Sequence, residues 1–296
     1  MLISSIIYKL FPKSVFVSLR KIYHLIQKRL YRPFSEKEFR KILDEDFRIT
    51  KGSVVFIHSS MDNLNLTFDT LRLLEILVET VGEAGTLIFP CWHFTFRAED
   101  YLRKGEIFDV RRSASALGML SEMARRFPGA KRSLHPTNSI VAIGKHADYI
   151  TEAHHTDIYP CGESSPYYRT MLLGGLITGM GVDAHFMSFV HCPEDVLKQK
   201  FPIKTRLSEV FDAKVINSEG SIISVKTLAA HPQTKNNNIR GFIKKYIPKS
   251  ICRNFTIKGN RFFTAHSKEL FDLMIELSEQ NKTIYTDKAV IQNSEY

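Results

Sequence analysis

The sequence predicts an α/β fold of three layers, α/β/α, around a central and mostly parallel sheet, with a more antiparallel C-terminal part. Three observations lead there. Residues 54–58 and 86–89 are continuous apolar runs too short for helices, the pattern of strands covered on both faces. Between them, Leu71, Leu74, Leu77, Val78 and Val81 recur at helical spacing over residues 69–81, so strand, helix and strand make a βαβ unit with parallel strands. After Lys204 the texture changes to shorter alternating runs.

The remaining elements follow in order. Ser35 and Glu38 form a capping box that opens a helix running to about residue 46. Pro90 stops the second strand. Helices are expected over 115–127 and 145–155, with a strand over 139–143 between them. The apolar run from Met171 reads as a strand over 171–178 leading to Gly179 and Gly181. Asn217 to Gly220 reads as a hairpin turn between strands 213–216 and 222–225. Residues 235–238 read as a loop, and a helix over 267–280 closes the chain. Ligands bind at the carboxyl ends of strands in open parallel sheets, and His58, Pro90 and Gly179 to Gly181 all fall at such ends.

The 296 residues, 44% of them hydrophobic, suffice for a full core. The formal charge of +10 is unevenly spread. Seven basic residues (Lys9, Lys13, Arg20, Lys21, Lys28, Arg29 and Arg32) precede the first acidic one, Glu36, and the remainder holds 34 Lys and Arg against 31 Asp and Glu. The body is therefore nearly neutral, and residues 1–34 form a basic amphipathic extension. Charges interrupt its apolar runs well short of the ~20 residues a membrane span needs. It suits either the inner, anionic face of a membrane or packing on the body or a partner subunit. No basic-aromatic pattern continues into the body, so nucleic acid is not expected. The four cysteines are scattered and no secretory signal is visible, so a reducing cytoplasm is expected. Cys192 with His185 and His191 gives poor chelate geometry, and no metal is expected.

The chemistry concentrates in Ser188, His191, Glu194 and Asp195. On a helix, three- and four-residue steps share a face, so His191 lies beside the hydroxyl and both carboxylates. A carboxylate fixes the imidazole tautomer, the imidazole takes a proton from a nucleophile, and the hydroxyl meets developing charge. That arrangement suits a general-base transferase or hydrolase. Pro193 fits only if a helix starts nearby, since proline inside a helix removes a hydrogen bond. Either Glu194 or Asp195 is in position to orient the ring. The Gly-x-Ser-x-Gly elbow, the dinucleotide Gly-x-Gly-x-x-Gly fingerprint and the Gly-x-x-x-x-Gly-Lys phosphate loop are all absent.

Five blocks in order resemble the aminoglycoside 3-N-acetyltransferase family. They are Val55 to Ser60 with its His-Ser-Ser turn, Gly85 to Pro90, and Arg132-Ser133-x-His135-Pro136 followed by Ser139 and Gly144. Then come Gly162-x-x-Ser165-Pro166 and Ser188-x-x-His191-x-x-Glu194. The resemblance covers roughly residues 50–200 and continues more weakly to about Tyr285. Serine stands at 188 where the family pattern has threonine, and Pro193 departs from it. The resemblance implies an acetyltransferase domain over 35–296 that moves acetyl from acetyl-CoA to an amine, with His191 as base. It also implies coenzyme A contacts from His58, Ser59, Ser60, Arg132, Ser133, His135, Ser139, Ser164 and Ser165. Strand-end hydroxyls suit phosphate and amide contacts, with Arg132 as a phosphate fork and Lys131 beside it. The acceptor is expected to be an amino sugar of surface polysaccharide synthesis or, alternatively, an aminoglycoside antibiotic. A non-catalytic binding relative is the reading from a different class.

Overall fold

The computed structural model describes residues 29–285. Most of the basic extension lies outside that range. A seven-stranded sheet organises the chain, in the order β4-β5-β2-β1-β6-β10-β9. These strands span Lys131–Arg132 (β4), Ile140–Gly144 (β5), Thr86–Pro90 (β2), Val54–Ser59 (β1), Leu176–Met180 (β6), Asn260–His266 (β10) and Cys252–Ile257 (β9). Only the central trio is parallel: β1 pairs in parallel with β2 and with β6. Antiparallel strands join on both sides, β5 on β2 and β10 on β6. The mixed α/β class is as expected, but the antiparallel character is not confined to the C-terminal part. The short route from β4 into β5 is a reversal rather than a helical crossover, which forces an antiparallel pair.

Burial on both faces of the sheet makes the layers. Along β1, Val55 and Ile57 face one core while Val54 and Phe56 face the other. Strand β2 splits the same way, with Leu87 and Phe89 on one side and Ile88 on the other. The first face is covered by α1 (Glu36–Lys41), α2 (Thr70–Val81) and α4 (Met119–Arg126), which contribute Phe39, Leu73, Leu77 and Leu120. The opposite face carries α5 (Ala147–Thr151), α6 (Pro166–Leu172), α7 (Cys192–Leu197), α8 (Ile239–Tyr246) and α9 (Ser267–Glu279). Each fully buried Leu or Phe of this kind contributes about 1.5–3 kcal/mol. A helix α3 (Ala98–Lys104) and a second sheet of β3 (Phe108–Asp109), β7 (Arg206–Ile216) and β8 (Ile222–Ala230) complete the fold.

Local signals held where they were short-range. Ser35 and Glu38 form the reciprocal capping box, and Asp69 caps α2 through the Arg72 N–H. The first helix gives way to a π-helical turn over Ile42–Asp46. The β7–β8 hairpin turns where expected, with Asn217 N–H donating to the Ser221 carbonyl at 2.9 Å. Three boundaries are corrected. The 115–127 helix starts only at Met119, after Gly118 at φ +103°, and the 145–155 helix shortens to Ala147–Thr151. The apolar run from Met171 is not one strand. Its first part ends α6 at Leu172, Gly174 turns at φ +61°, and β6 starts at Leu176.

Candidate active site

The central strands end together, and the segment that follows β6 crosses their carboxyl ends. His58 pairs with Gly179 and Ser59 with Met180 across β1 and β6. Gly181 is required at the exit: its φ is +75°, and a Cβ there would sit 2.4 Å from the Ser60 carbonyl oxygen. Asn63 Nδ2 donates to the Gly181 carbonyl at 2.9 Å and fixes the crossing.

Beyond it the chain makes two helical turns of different kinds. Ser188–His191 is a 3-10 turn, in which residues three apart eclipse, so Ser188 and His191 share one edge. The α-helix α7 then opens at Cys192, with His191 as its N-cap residue and Pro193 in its first turn. Proline is at ease there because first-turn N–H groups have no helical partner. The departure at Pro193 therefore leaves the carboxylates in a regular first turn.

The two carboxylates face different partners. Both oxygens of Glu194 lie 3.2 Å from His191 Nδ1, and both accept from the Tyr285 hydroxyl, at 2.9 and 3.0 Å. Asp195 is gripped by Arg206, whose Nε and Nη2 reach its two oxygens at 2.7 and 2.6 Å, and by the Cys161 N–H at 2.8 Å. Glu194 is thus the carboxylate on the ring, while Asp195 anchors α7 to β7 and to the loop before α6.

This geometry sets the tautomer. A carboxylate only accepts, so Nδ1 carries the proton and Nε2 of neutral His191 holds a free lone pair. The ring is about one-third exposed, and no protein group among the described residues bonds Nε2. Burial pushes the imidazole pKa down, but the Glu194 charge and hydrogen bond outweigh it and hold it above the ordinary value. Ser188 Oγ is buried beside the Tyr167 hydroxyl, and neither atom has a partner at hydrogen-bonding geometry. Buried hydroxyls without a well-formed protein bond, one of them three residues before His191 on the same turn, are groups that a ligand can satisfy.

The residues expected to hold coenzyme A divide. His58 is buried at the end of β1 between Phe56 and Phe263, with Nε2 unpartnered, and burial holds it neutral with a pKa lowered to about 3. Ser59, Ser60 and Ser164 are half-buried. The other five are turned into the body. Arg132 spends its guanidinium on the carbonyls of Cys91, Val110 and Ser113 and on Ser139 Oγ, stacked 4.7 Å over Phe108. Its donors are thus engaged by three carbonyls and a hydroxyl of the body, an arrangement that lends no support to the expected phosphate fork. Lys131 beside it pairs with Asp148 at 2.9 Å.

Ser139 donates to the Cys91 carbonyl at 2.7 Å, and Ser165 caps α6 through the Tyr168 N–H. Ser133 and His135 belong to a buried chain. His154 Nε2 donates to the Pro160 carbonyl, which leaves Nδ1 to accept from Ser133. His135 Nδ1 accepts from the Thr137 and Asn138 N–H groups and stacks on His154 at 4.5 Å. Burial keeps both rings neutral. Sequence reasoning passed over Tyr285, Arg206 and Tyr167. Their contacts with the segment form only on folding, across 11 residues for Arg206 and 91 for Tyr285, and no local pattern marks them.

A mixed α/β sheet that delivers a carboxylate-fixed imidazole at the ends of its parallel strands defines a class, the α/β proteins with an oriented imidazole at the strand ends. Within that class the chain belongs to the aminoglycoside 3-N-acetyltransferase family, whose model matches residues 56–279. Among curated relatives it is 27% identical over 176 residues to aminoglycoside N(3)-acetyltransferase IX of Micromonospora chalcea, covering 53% of this chain and 61% of that one. It is 30% identical over 173 residues to aminoglycoside N(3)-acetyltransferase IV of Salmonella sp, covering 57% and 62%. The match thus spans about three fifths of these relatives' length.

The fold is shared with the crystal structure of aminoglycoside acetyltransferase AAC(3)-Xa, at a TM-score of 0.73 and 20% identity over 90% of this chain and 99% of that one. It is also shared with AAC-IIIb in a binary complex with CoASH, at a TM-score of 0.69 and 18% identity over 86% and 99%.

Proposed function

We propose that the chain is an acetyl-CoA-dependent N-acetyltransferase acting on an amine of an amino sugar or aminocyclitol. The observation that carries this reading is the Glu194-fixed His191 with a free Nε2, on the same 3-10 turn as the Ser188 hydroxyl. His191 Nε2 takes a proton from the acceptor ammonium, and the freed amine attacks the thioester carbonyl. The Ser188 hydroxyl donates to the oxyanion, and the C–S bond breaks as the carbonyl re-forms. The departing thiolate takes the second amine proton from the tetrahedral nitrogen and leaves as the thiol, and the first proton passes from His191 to solvent. Raising the imidazole pKa suits this role, since a stronger base deprotonates an ammonium more readily. Acetyl-CoA as donor is supported by the family and by the solved relative in complex with CoASH. His58, Ser59, Ser60 and Ser164 are the side chains at hand for its amide arm and phosphates.

The acceptor has two readings. Family membership, with one solved relative bound to sisomicin, favours an aminoglycoside. A specific observation favours a sugar amine carrying less charge, as in surface polysaccharide synthesis. The three acidic residues of the active segment are already engaged: Glu194 by His191 and Tyr285, Asp195 by Arg206, and Asp183 by Arg240 and Arg261. A polycation needs spare carboxylates, whereas a single ammonium does not.

The test is free-thiol release from acetyl-CoA with nucleotide-linked amino sugars, simple amino sugars, gentamicin and sisomicin as acceptors. Thiol release with some amine is expected, with a monoamino sugar ahead of the drugs. Preference for the drugs, together with resistance in a sensitive bacterium expressing the chain, would reverse the acceptor order. Cofactor binding without thiol release from any amine would replace the enzyme reading with a binding one.

A further inference from the structure

We propose that Tyr285 is a positioning residue of this site, its hydroxyl holding Glu194 and sharing its charge so as to set the basicity of His191. The inference rests on the reading of His191 as the base and adds a third member from the far end of the described chain. The Tyr285 side chain is buried, and its hydroxyl sits 2.9 and 3.0 Å from the two oxygens of Glu194, the same pair that faces His191 Nδ1 at 3.2 and 3.2 Å. The carboxylate lies between two donors, each centred on both oxygens. A hydroxyl on a buried carboxylate is a charge-assisted bond and locks its rotamer.

The backbone that carries Tyr285 is itself pinned. It bridges Asn237 in antiparallel fashion, and the neighbouring Ile284 carbonyl accepts from the Asn238 N–H at 2.6 Å. The hydroxyl is thus delivered by a tethered segment and not by a loose tail.

Other charged groups around the pair come from α7 and β7. Asp195 raises and Arg206 lowers the proton affinity of both His191 and Tyr285, and these two are locked together as an ion pair. Burial keeps the neighbouring thiols of Cys161 and Cys192 protonated. The remaining control on His191 is how much of the Glu194 charge it receives alone. Without the hydroxyl, Glu194 depends more heavily on the imidazolium, so protonated His191 gains stability and its pKa rises. Removing the Glu194 charge has the opposite sign.

The experiment compares the parent chain with Tyr285→Phe, Glu194→Gln and the double variant. It reads the His191 midpoint by ring 15N NMR and, separately, the acid limb of kcat/KM. Tyr285→Phe should raise the midpoint by about half to one pH unit, yet lower kcat by roughly 3–10-fold because Glu194 and the ring lose their locked rotamer, with KM for the donor unchanged. Glu194→Gln should lower the midpoint, and the second substitution should then add nothing. Tyr285→Phe with an unmoved midpoint, or with an equal shift in the Glu194→Gln background, overturns the proposal. If the phenylalanine variant does not fold, a ring-fluorinated tyrosine at position 285 donates more strongly and should lower the midpoint instead; a rise or no change overturns the proposal. NMR shifts of the expected signs without acyl transfer to any amine would support the positioning role and defeat the catalytic reading.

Discussion

Replacing His191 by alanine should reduce acetyl transfer by about 10²–10⁴-fold, with donor binding nearly intact. That corresponds to roughly 3–5 kcal/mol of transition-state stabilisation. The size follows from its position. Nε2 holds a free lone pair, because Glu194 fixes the proton on Nδ1. The Ser188 hydroxyl is too weak a base to replace it, and Glu194 is 2% exposed behind the ring, out of reach of an incoming ammonium. The parent protein should also lose activity as pH falls through the His191 pKa, which lies above the ordinary imidazole value, since protonated imidazole has no lone pair. His191→Ala should abolish that limb. Steady-state kinetics across pH and calorimetric titration with CoA check both halves. Turnover retained within a few-fold would remove His191 from the mechanism.

What could be read from the sequence was local. Ser188, His191 and Glu194 stand at three-residue steps, and both a 3-10 turn and the first turn of an α-helix bring such steps together, so the grouping survives the change of helix type. The central strands were legible because residues such as Val55 and Phe56 are apolar on both faces, a demand that two cores impose. The direction of the flanking strands was not, because a sheet edge accepts either direction: β5 returns to β2 after a long connection with two helices and still pairs antiparallel. The Arg-Ser-x-His-Pro block carried the family resemblance but not the direction of its side chains. Sequence records that Arg132 is charged and not which way it points, and here it points at the carbonyls of Cys91, Val110 and Ser113. Tyr285 lies 91 residues from Glu194, and no periodicity links the two. The choice between Glu194 and Asp195 was equally out of reach, because it depends on where Arg206 at the start of β7 arrives.

That choice yields the second large effect, one of stability. Asp195 is 0% exposed and takes both charged bonds of Arg206 together with the Cys161 N–H. Asp195→Asn leaves a buried guanidinium without its counter-charge, a loss that typically costs about 3–5 kcal/mol. Denaturant unfolding should show it as a lower midpoint with an unchanged slope. Replacing both partners, Asp195→Leu with Arg206→Met, should be less harmful than the single change, since it removes the stranded charge. The Cys161 N–H still loses its acceptor in the double variant, at about 1–3 kcal/mol. Glu194→Gln should behave in the contrary manner, costing activity and shifting the pH limb with a smaller loss of stability, because Tyr285 and His191 remain as donors to the amide oxygen. The two neighbouring carboxylates can therefore be told apart by which quantity each substitution moves. An Asp195→Asn protein as stable as its parent would mean that Arg206 had found another acceptor, and the assignment of Asp195 to the scaffold and Glu194 to the ring would fail with it.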